Sequence, residues 1–119
     1  MYEILFRGKR KDTLEWVEGY LFKYLDKTYI LWDTTNDIHN MFEVFPESVG
    51  QYTGLTDKNS KKIWSGSIVK IKEDIYICTW NEYNFEYEFR NRKENIGIAY
   101  VSRNCIEEIG KVYDIIQIK

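Results

Sequence analysis

Aromatic and charged side chains alternate without a break over six residues in the second half of this chain. They are Phe85, Glu86, Tyr87, Glu88, Phe89 and Arg90. Successive side chains of a β-strand point to opposite faces of the sheet. The pattern therefore predicts a strand over residues 84–90, with the aromatic face on the core and the charged face in water.

Short runs rich in Ile, Val, Tyr, Phe and Trp recur along the rest of the chain, and no stretch of ten residues has convincing helical spacing. The remaining predicted strands cover residues 3–7, 15–21, 28–32, 40–45, 67–72, 75–80, 96–101 and 105–109, the last continuing into 112–113. Polar loops at residues 9–13 and 33–37 predict two hairpins in the first half. A two-residue turn at Glu73 and Asp74 predicts a third.

The only proline, Pro46, marks a change in character. Proline lacks an amide hydrogen and is a poor residue for a central strand. We therefore divide a single domain, residues 1–119, into an N-terminal β portion (1–48) and a C-terminal portion (49–119). Residues 53–62 have a composition that predicts consecutive turns.

Many short strands and no strong helix predict a mainly β fold, either a small, strongly bent barrel or a sandwich. At most one or two short helices are expected, at residues 44–50 or 104–109.

The charge balance excludes a protein held to nucleic acid mainly by net charge, because 17 Lys and Arg face 19 Asp and Glu. The sequence contains no signal peptide and no apolar stretch long enough to cross a bilayer. Cys78 and Cys105 lie in apolar runs, where reduced thiols behave as small hydrophobes. A cytoplasmic protein without membrane association is expected.

Three segments resemble the YopX family of phage and prophage proteins. Residues 4–10 and 15–20 read ILFRGKR and EWVEGY, residues 49–59 and 61–69 read VGQYTGLTDKN and KKIWSGSIV, and residues 105–114 read CIEEIGKVYD. The middle segment is similar to the family's central signature, usually written QYTGLxDKNGxxIxEGDIV. The resemblance implies a mostly β fold with an SH3-like barrel in the C-terminal part, the N-terminal hairpins packed on it, and a phage or mobile-element origin in a bacterial host. It implies no established reaction.

The chain departs from the family pattern at several positions. Ser60 replaces the usual turn glycine, and Ser65 and Ser67 replace the usual Glu and Asp. Any family activity resting on those two acids is in doubt here. Residues 115–116, both Ile, replace the family's closing Asn-Pro, which predicts that the last strand runs on.

The signature has two interpretations. Glycine at positive φ and side chains that accept backbone N–H bonds explain Gly54, Asp57, Asn59 and Gly66 structurally. The functional interpretation is an exposed loop that contacts a partner, because binding residues often lie on loops held by a rigid scaffold. Its members are Gln51, Tyr52, Thr53, Asp57, Lys58 and Asn59.

No catalytic, cofactor-binding or metal-ligating set is predicted. His39 is the only histidine, so one chain cannot build a two-histidine zinc site. Glu86 and Glu88 are expected on the water-facing side of their strand. A hydrolase with unassigned carboxylates is the weakest alternative.

Basic residues occur in three clusters near aromatic side chains, which permits a small β-barrel that binds nucleic acid. The candidate contacts for this alternative are Arg7, Lys9, Arg10, Lys61, Lys62 and Arg92. Acids in the same segments favour solvated loops instead. Ten Tyr and four Trp exceed what so small a core needs, and such rings are enriched at protein interfaces. The preferred function is therefore a non-enzymatic phage accessory protein that binds protein, both copies of itself and a host or phage partner.

Overall fold

The computed structural model describes residues 4–32 and 41–116, and most of its regular secondary structure is β-strand. The strands are β1 (Phe6–Lys9), β2 (Trp16–Tyr24), β3 (Lys27–Leu31), β4 (Met41–Glu43), β5 (Gly50–Thr56), β6 (Lys62–Trp64), β7 (Ser67–Ile71), β8 (Asp74–Asn81), β9 (Glu86–Arg90), β10 (Asn95–Gly97) and β11 (Ile106–Lys111). One short helix, α1 (Val112–Ile116), follows β11. The predicted mainly β class is confirmed.

The strands form two antiparallel sheets. One has six strands in the order β4-β3-β2-β1-β5-β6, and the other has five in the order β10-β9-β8-β7-β11. Over the described residues no closed barrel forms. The chain divides into two compact units, Met1–Tyr52 and Thr53–Lys119, with the division inside β5.

The first unit is built from successive hairpins. β1 pairs with β2, with Phe6 opposite Gly19, and β3 pairs with β4, with Tyr29 opposite Glu43. Both hairpins predicted for this half of the chain are confirmed, although the turn predicted at residues 33–37 lies outside the described residues. β2 also pairs with β3, with Phe22 opposite Tyr29.

The second unit contains the larger apolar core. Its buried members are Ile63, Val69, Ile71, Tyr76, Cys78, Phe89 and Ile106. β7, β8 and β9 form a meander, and β11 returns to pair with β7. Phe89 of the alternating segment is fully buried, as its alternation with Glu88 and Arg90 predicts.

Consecutive turns do not fill residues 53–62, and that prediction is wrong. β5 extends to Thr56 and β6 begins at Lys62, so only the short segment between them turns. Gly54 lies within β5 with a φ of 89°, a backbone conformation that glycine adopts without steric cost. Pairing with neighbouring strands has outweighed a composition typical of turns.

The β7–β8 hairpin turns one residue earlier than predicted. Ile71 lies opposite Asp74, which leaves Lys72 and Glu73 as the two turn residues. Lys72 has a φ of 57°. Two-residue hairpins favour a positive φ at the first turn position, and here a lysine adopts it.

The end of the chain also differs from the prediction. β10 ends at Gly97 and a 3-10 turn covers Ile98–Tyr100, so the strand expected over residues 96–101 is too long. A Cβ at Gly97 would lie 2.8 Å from Oε1 of Glu86, the end of a side chain that can rotate away. After β11 the chain enters α1 instead of extending the strand. The Val112 N–H donates to the Gly66 carbonyl at 2.9 Å, at the junction of β11 and α1.

Two further 3-10 turns lie near the places where short helices were expected. They cover Pro46–Ser48 and Arg103–Cys105. Among the described residues no helix is both long enough and apolar enough to cross a membrane.

Candidate functional site

An exposed row of aromatic side chains lies along β2. Tyr20, Phe22 and Tyr24 alternate with Leu21 and Lys23, so their rings share one face of the strand. Their exposed fractions are 38%, 44% and 59%. With Tyr29 of β3 these residues form a surface that we call the aromatic face.

The rings of the aromatic face are ordered against one another. Phe22 and Tyr24 stack with their centroids 6.4 Å apart and their planes 10° apart, and Phe22 lies 6.2 Å from Tyr29. Phe22 and Tyr29 are also direct cross-strand partners. Aromatic pairs at these separations attract each other, so the surface is arranged before any partner arrives.

The two ends of the aromatic face carry opposite charge. Glu18 precedes Tyr20 on the same side of β2, and Lys27 lies opposite Tyr24 on β3. At about 3.3 Å per residue, the strand from Glu18 to Tyr24 spans roughly 20 Å. The surface is therefore an apolar strip with Glu18 at one end, where Arg7 of β1 lies opposite it, and Lys27 at the other.

An open, mainly apolar groove adjoins this strip. Ile4, Phe6, Tyr20 and Leu21 line a space of about 450 Å³. Ile4 is 66% exposed. Water-exposed apolar surface of this kind is costly, and in soluble proteins a large contiguous patch marks an interaction site.

Most of the aromatic face lies beyond the strand predicted over residues 15–21. The predicted strand ends at residue 21, whereas β2 continues to Tyr24 and includes Phe22. The sequence does contain a pattern that predicts the longer strand: aromatic residues alternate with other residues from Tyr20 to Tyr24. This alternation places the end of the strand at Tyr24, as in the structure.

The six residues predicted to form an exposed partner-binding loop do not lie together on an exposed loop. Gln51, Tyr52 and Thr53 belong to β5, and Tyr52 and Thr53 are buried. The Thr53 hydroxyl donates to the Ile63 carbonyl at 2.7 Å. These side chains serve the packing and pairing of the strand.

Asp57, another member of that set, is fully buried and holds the backbone around it. Its Oδ1 accepts hydrogen bonds from the amides of Asn59 and Lys61 at 2.8 and 2.9 Å, and its Oδ2 accepts one from Glu108 at 2.9 Å. Burial favours the neutral carboxyl, but the amides of Glu108, Lys61 and Asn59 outweigh it and hold the pKa of Asp57 below its ordinary value.

Of the predicted loop, Lys58 and Asn59 are exposed. The Lys58 ammonium lies 3.7 Å from Oε1 of Glu107. Lys58 also lines a shallow groove of about 280 Å³, whose other lining residues are Lys70, Lys72, Asn104, Cys105 and Glu107. Three lysines of one basic cluster in the sequence, Lys58, Lys70 and Lys72, therefore lie around the same groove. Lys61 and Lys62 belong to that cluster in sequence but do not line the groove.

The N-terminal candidates for nucleic-acid contact already make local contacts. Arg7 is 5% exposed, with its guanidinium 5.2 Å from the ring centroid of Trp16. Arg10 donates two hydrogen bonds to Asp12, at 2.9 and 2.7 Å, and lies 4.1 Å from the Phe42 centroid. Neither guanidinium is presented to solvent as an open phosphate-binding group.

The other candidates for nucleic-acid contact differ in exposure. Lys61 and Arg92 are exposed, whereas Lys9 and Lys62 are only half-exposed. The Lys9 amide also donates to the Ser48 hydroxyl at 2.8 Å.

Glu88 is only 3% exposed, so its predicted place in water is wrong. Its carboxylate accepts hydrogen bonds from Asn81 Nδ2 and Arg90 Nη2, each at 3.0 Å. Burial of a carboxylate is tolerated when a charge and a donor compensate it. Conversely, Phe85 of the aromatic set is 79% exposed, because it lies before β9 begins.

The remaining candidate chemistry is limited. Both cysteines are free thiols, with Cys78 buried as predicted and Cys105 exposed, contrary to prediction, at the end of a 3-10 turn. Across the described part of the chain, no group of three His, Cys, Asp or Glu side chains is placed to hold a metal ion. His39 lies outside that part.

Comparison with known proteins gives a family match. The family model described as YopX protein matches residues 5–115. No curated protein matches the chain.

Proposed function

The chain belongs to the YopX family, whose function is uncharacterised, and we propose that this member is a non-catalytic binding module that associates with further copies of itself. The aromatic face, formed by Tyr20, Phe22, Tyr24 and Tyr29, is the surface assigned to that contact. As a phage- or prophage-encoded accessory protein, it would present such an assembly to a host or phage protein.

The observation that carries this proposal is the exposure of three aromatic rings on one face of a paired strand. Tyr20, Phe22 and Tyr24 stay between 38% and 59% exposed although apolar surface gains free energy when it leaves water. Aromatic residues are enriched in the buried centres of protein interfaces. Because strand pairing and ring stacking already order these side chains, less conformational entropy is lost on binding.

Charge complementarity favours a second copy as the occupant. In a two-fold contact the same patch faces itself. If the β2 strands of two copies cross antiparallel about Phe22, then Glu18 of each copy approaches the Lys27 end of the other. The groove lined by Ile4, Phe6 and Leu21 offers space for a ring of the second copy.

Nucleic-acid binding through basic loops is the alternative, and it has less support. Arg7 packs on Trp16 and Arg10 is hydrogen-bonded to Asp12. Lys61 and Arg92 are exposed and would make the first contacts with a phosphate backbone. Such binding weakens steeply as salt rises, whereas an aromatic contact does not.

Light scattering after size exclusion, at low and at high salt, tests the proposal and separates the two functions. We expect a salt-resistant oligomer whose absorbance at 260 and 280 nm is that of protein alone. Phe22→Ser should weaken self-association at least tenfold. Tyr83→Ser is the matched control, because Tyr83 is 94% exposed and belongs to the turn between β8 and β9, outside the aromatic face.

Either of two results would overturn the proposal. One is a wild-type monomer at every concentration used. The other is an oligomer that Phe22→Ser leaves unchanged, with circular dichroism showing that the variant is folded. A peak whose 260-nm absorbance disappears at high salt would instead favour nucleic acid.

We further propose that the five-stranded sheet is the counterpart of the SH3-like barrel that the family implies. The support is its order, in which a meander of β7, β8, β9 and β10 is completed when β11 returns beside β7. β11 has a register shift between Glu108 and Gly110, and β-bulges, which produce such shifts and bend strands, are common at the rims of barrels.

A further inference from the structure

The shallow groove in the second unit has a strongly positive lining. Lys58, Lys70 and Lys72 line it together with Asn104, Cys105 and Glu107, around a space of about 280 Å³. The three lysines come from three places: the turn after β5, the middle of β7 and the turn between β7 and β8. We call this surface the lysine groove.

The charges in the lysine groove do not balance. Among the described residues that line it, Glu107 is the only acid; it lies 3.7 Å from the Lys58 ammonium and opposite Lys70 across the β7–β11 ladder. In the described residues no carboxylate lies within ion-pair distance of Lys70 or Lys72. Three ammonium groups against one carboxylate leave the groove with two positive charges in excess.

The backbone holds the lysines in place. The Lys58 amide donates to the Ile106 carbonyl at 2.9 Å, while Arg103 Nη2 donates to the Asp57 carbonyl at 3.2 Å. Lys70 lies in a strand paired on both sides, by β8 and β11. The positions from which the three side chains extend are therefore fixed relative to one another, although the ammonium ends remain adjustable.

We infer that the lysine groove binds a terminal phosphate group. A phosphomonoester carries close to two negative charges at neutral pH, which matches the excess in the groove. Lysine binds phosphate as a point charge. None of the described residues that line the groove is aromatic, so they offer a nucleobase no surface on which to stack. The inference does not depend on the proposed self-association, since the aromatic face belongs to the other unit.

Titration with inorganic phosphate, followed by amide chemical shifts at constant ionic strength in chloride, tests this inference on the whole chain. We expect saturable shifts around Lys70 and Lys72. The double variant Lys70→Gln/Lys72→Gln should weaken phosphate binding at least tenfold. Lys23→Gln/Lys93→Gln is the control, because it removes the same charge at exposed lysines that do not line the groove.

Equal affinity in the two double variants, or shifts that do not saturate in the wild type, would overturn the inference. Single-stranded oligonucleotides with and without a 5′-phosphate provide the second arm. Preference for the phosphorylated strand, lost in Lys70→Gln/Lys72→Gln, supports a terminal-phosphate site. Equal binding of both strands through these lysines would show that the groove contacts backbone diesters, contrary to the inference.

Discussion

Oδ2 of Asp57 accepts a hydrogen bond at 2.9 Å from the backbone amide of Glu108, a residue 51 positions further along the chain. Its Oδ1 meanwhile accepts from Asn59 and Lys61 within its own turn. One buried carboxylate thus connects the signature turn to β11. This supports the structural interpretation of the signature at Asp57.

Asp57→Asn should destabilise the second unit. The substitution keeps the size of the side chain but replaces one acceptor oxygen with an NH₂ group, which leaves at least one buried amide without its partner. A buried unsatisfied donor costs about 1–3 kcal/mol. Urea denaturation measures the loss, and Asp26→Asn, at an exposed position, should change stability by less than about 0.5 kcal/mol.

Stability should also depend on pH through Asp57. Its pKa is below the ordinary value in the folded state, so its contribution is fully present above the unfolded value of about 3.9 and is lost as pH falls through the folded pKa. The difference in unfolding free energy between wild type and Asp57→Asn should therefore narrow as pH falls below about 4. A difference that stays constant from pH 6 to pH 3 would contradict this assignment.

Ser60→Gly should stabilise the protein. Ser60 has a φ of 65° at the position where the family signature has glycine. A left-handed conformation costs an L-residue about 1–2 kcal/mol, part of which is offset by the greater freedom of glycine in the unfolded chain. We expect a net gain of about 0.5–1 kcal/mol in thermal or chemical denaturation. Ser102→Gly, where φ is −69°, should give no gain.

Gly19→Ala should disrupt the sheet of the first unit. A Cβ at this position would lie 2.8 Å from Cα of Trp32 and would overlap the Leu31 carbonyl oxygen. Both are backbone atoms that cannot rotate away, and such overpacking costs about 1–3 kcal/mol or more. Gly110→Ala is the comparison, because the nearest atom there is 3.6 Å away. Equal stability of the two variants would argue against the β2–β3 packing described.

The sequence predicted the β class and the hairpins because those depend on local alternation. Phe89 is buried as its alternation requires. Glu88 lies on the other face of the same strand and is buried, which alternation does not predict. Its burial depends on hydrogen bonds from Asn81 and Arg90 that the sequence pattern does not show.

The candidate sites were less predictable for a different reason. The lysine groove includes Lys58 and Lys70, which lie on either side of β6 in the sequence and meet because both lie beside β11. The aromatic face was accessible in principle from the alternation through Tyr24. The sequence does not predict, however, that this face of β2 remains exposed to solvent.

Hydroxyl-radical footprinting at two protein concentrations tests the central proposal most directly, because it reports which rings are covered when copies associate. We predict that oxidation of Phe22 and Tyr24 falls severalfold at the concentration where the oligomer forms, while Tyr83 is oxidised equally at both. Unchanged oxidation of Phe22 and Tyr24 in an oligomer of established mass would contradict the aromatic face as the surface of self-association.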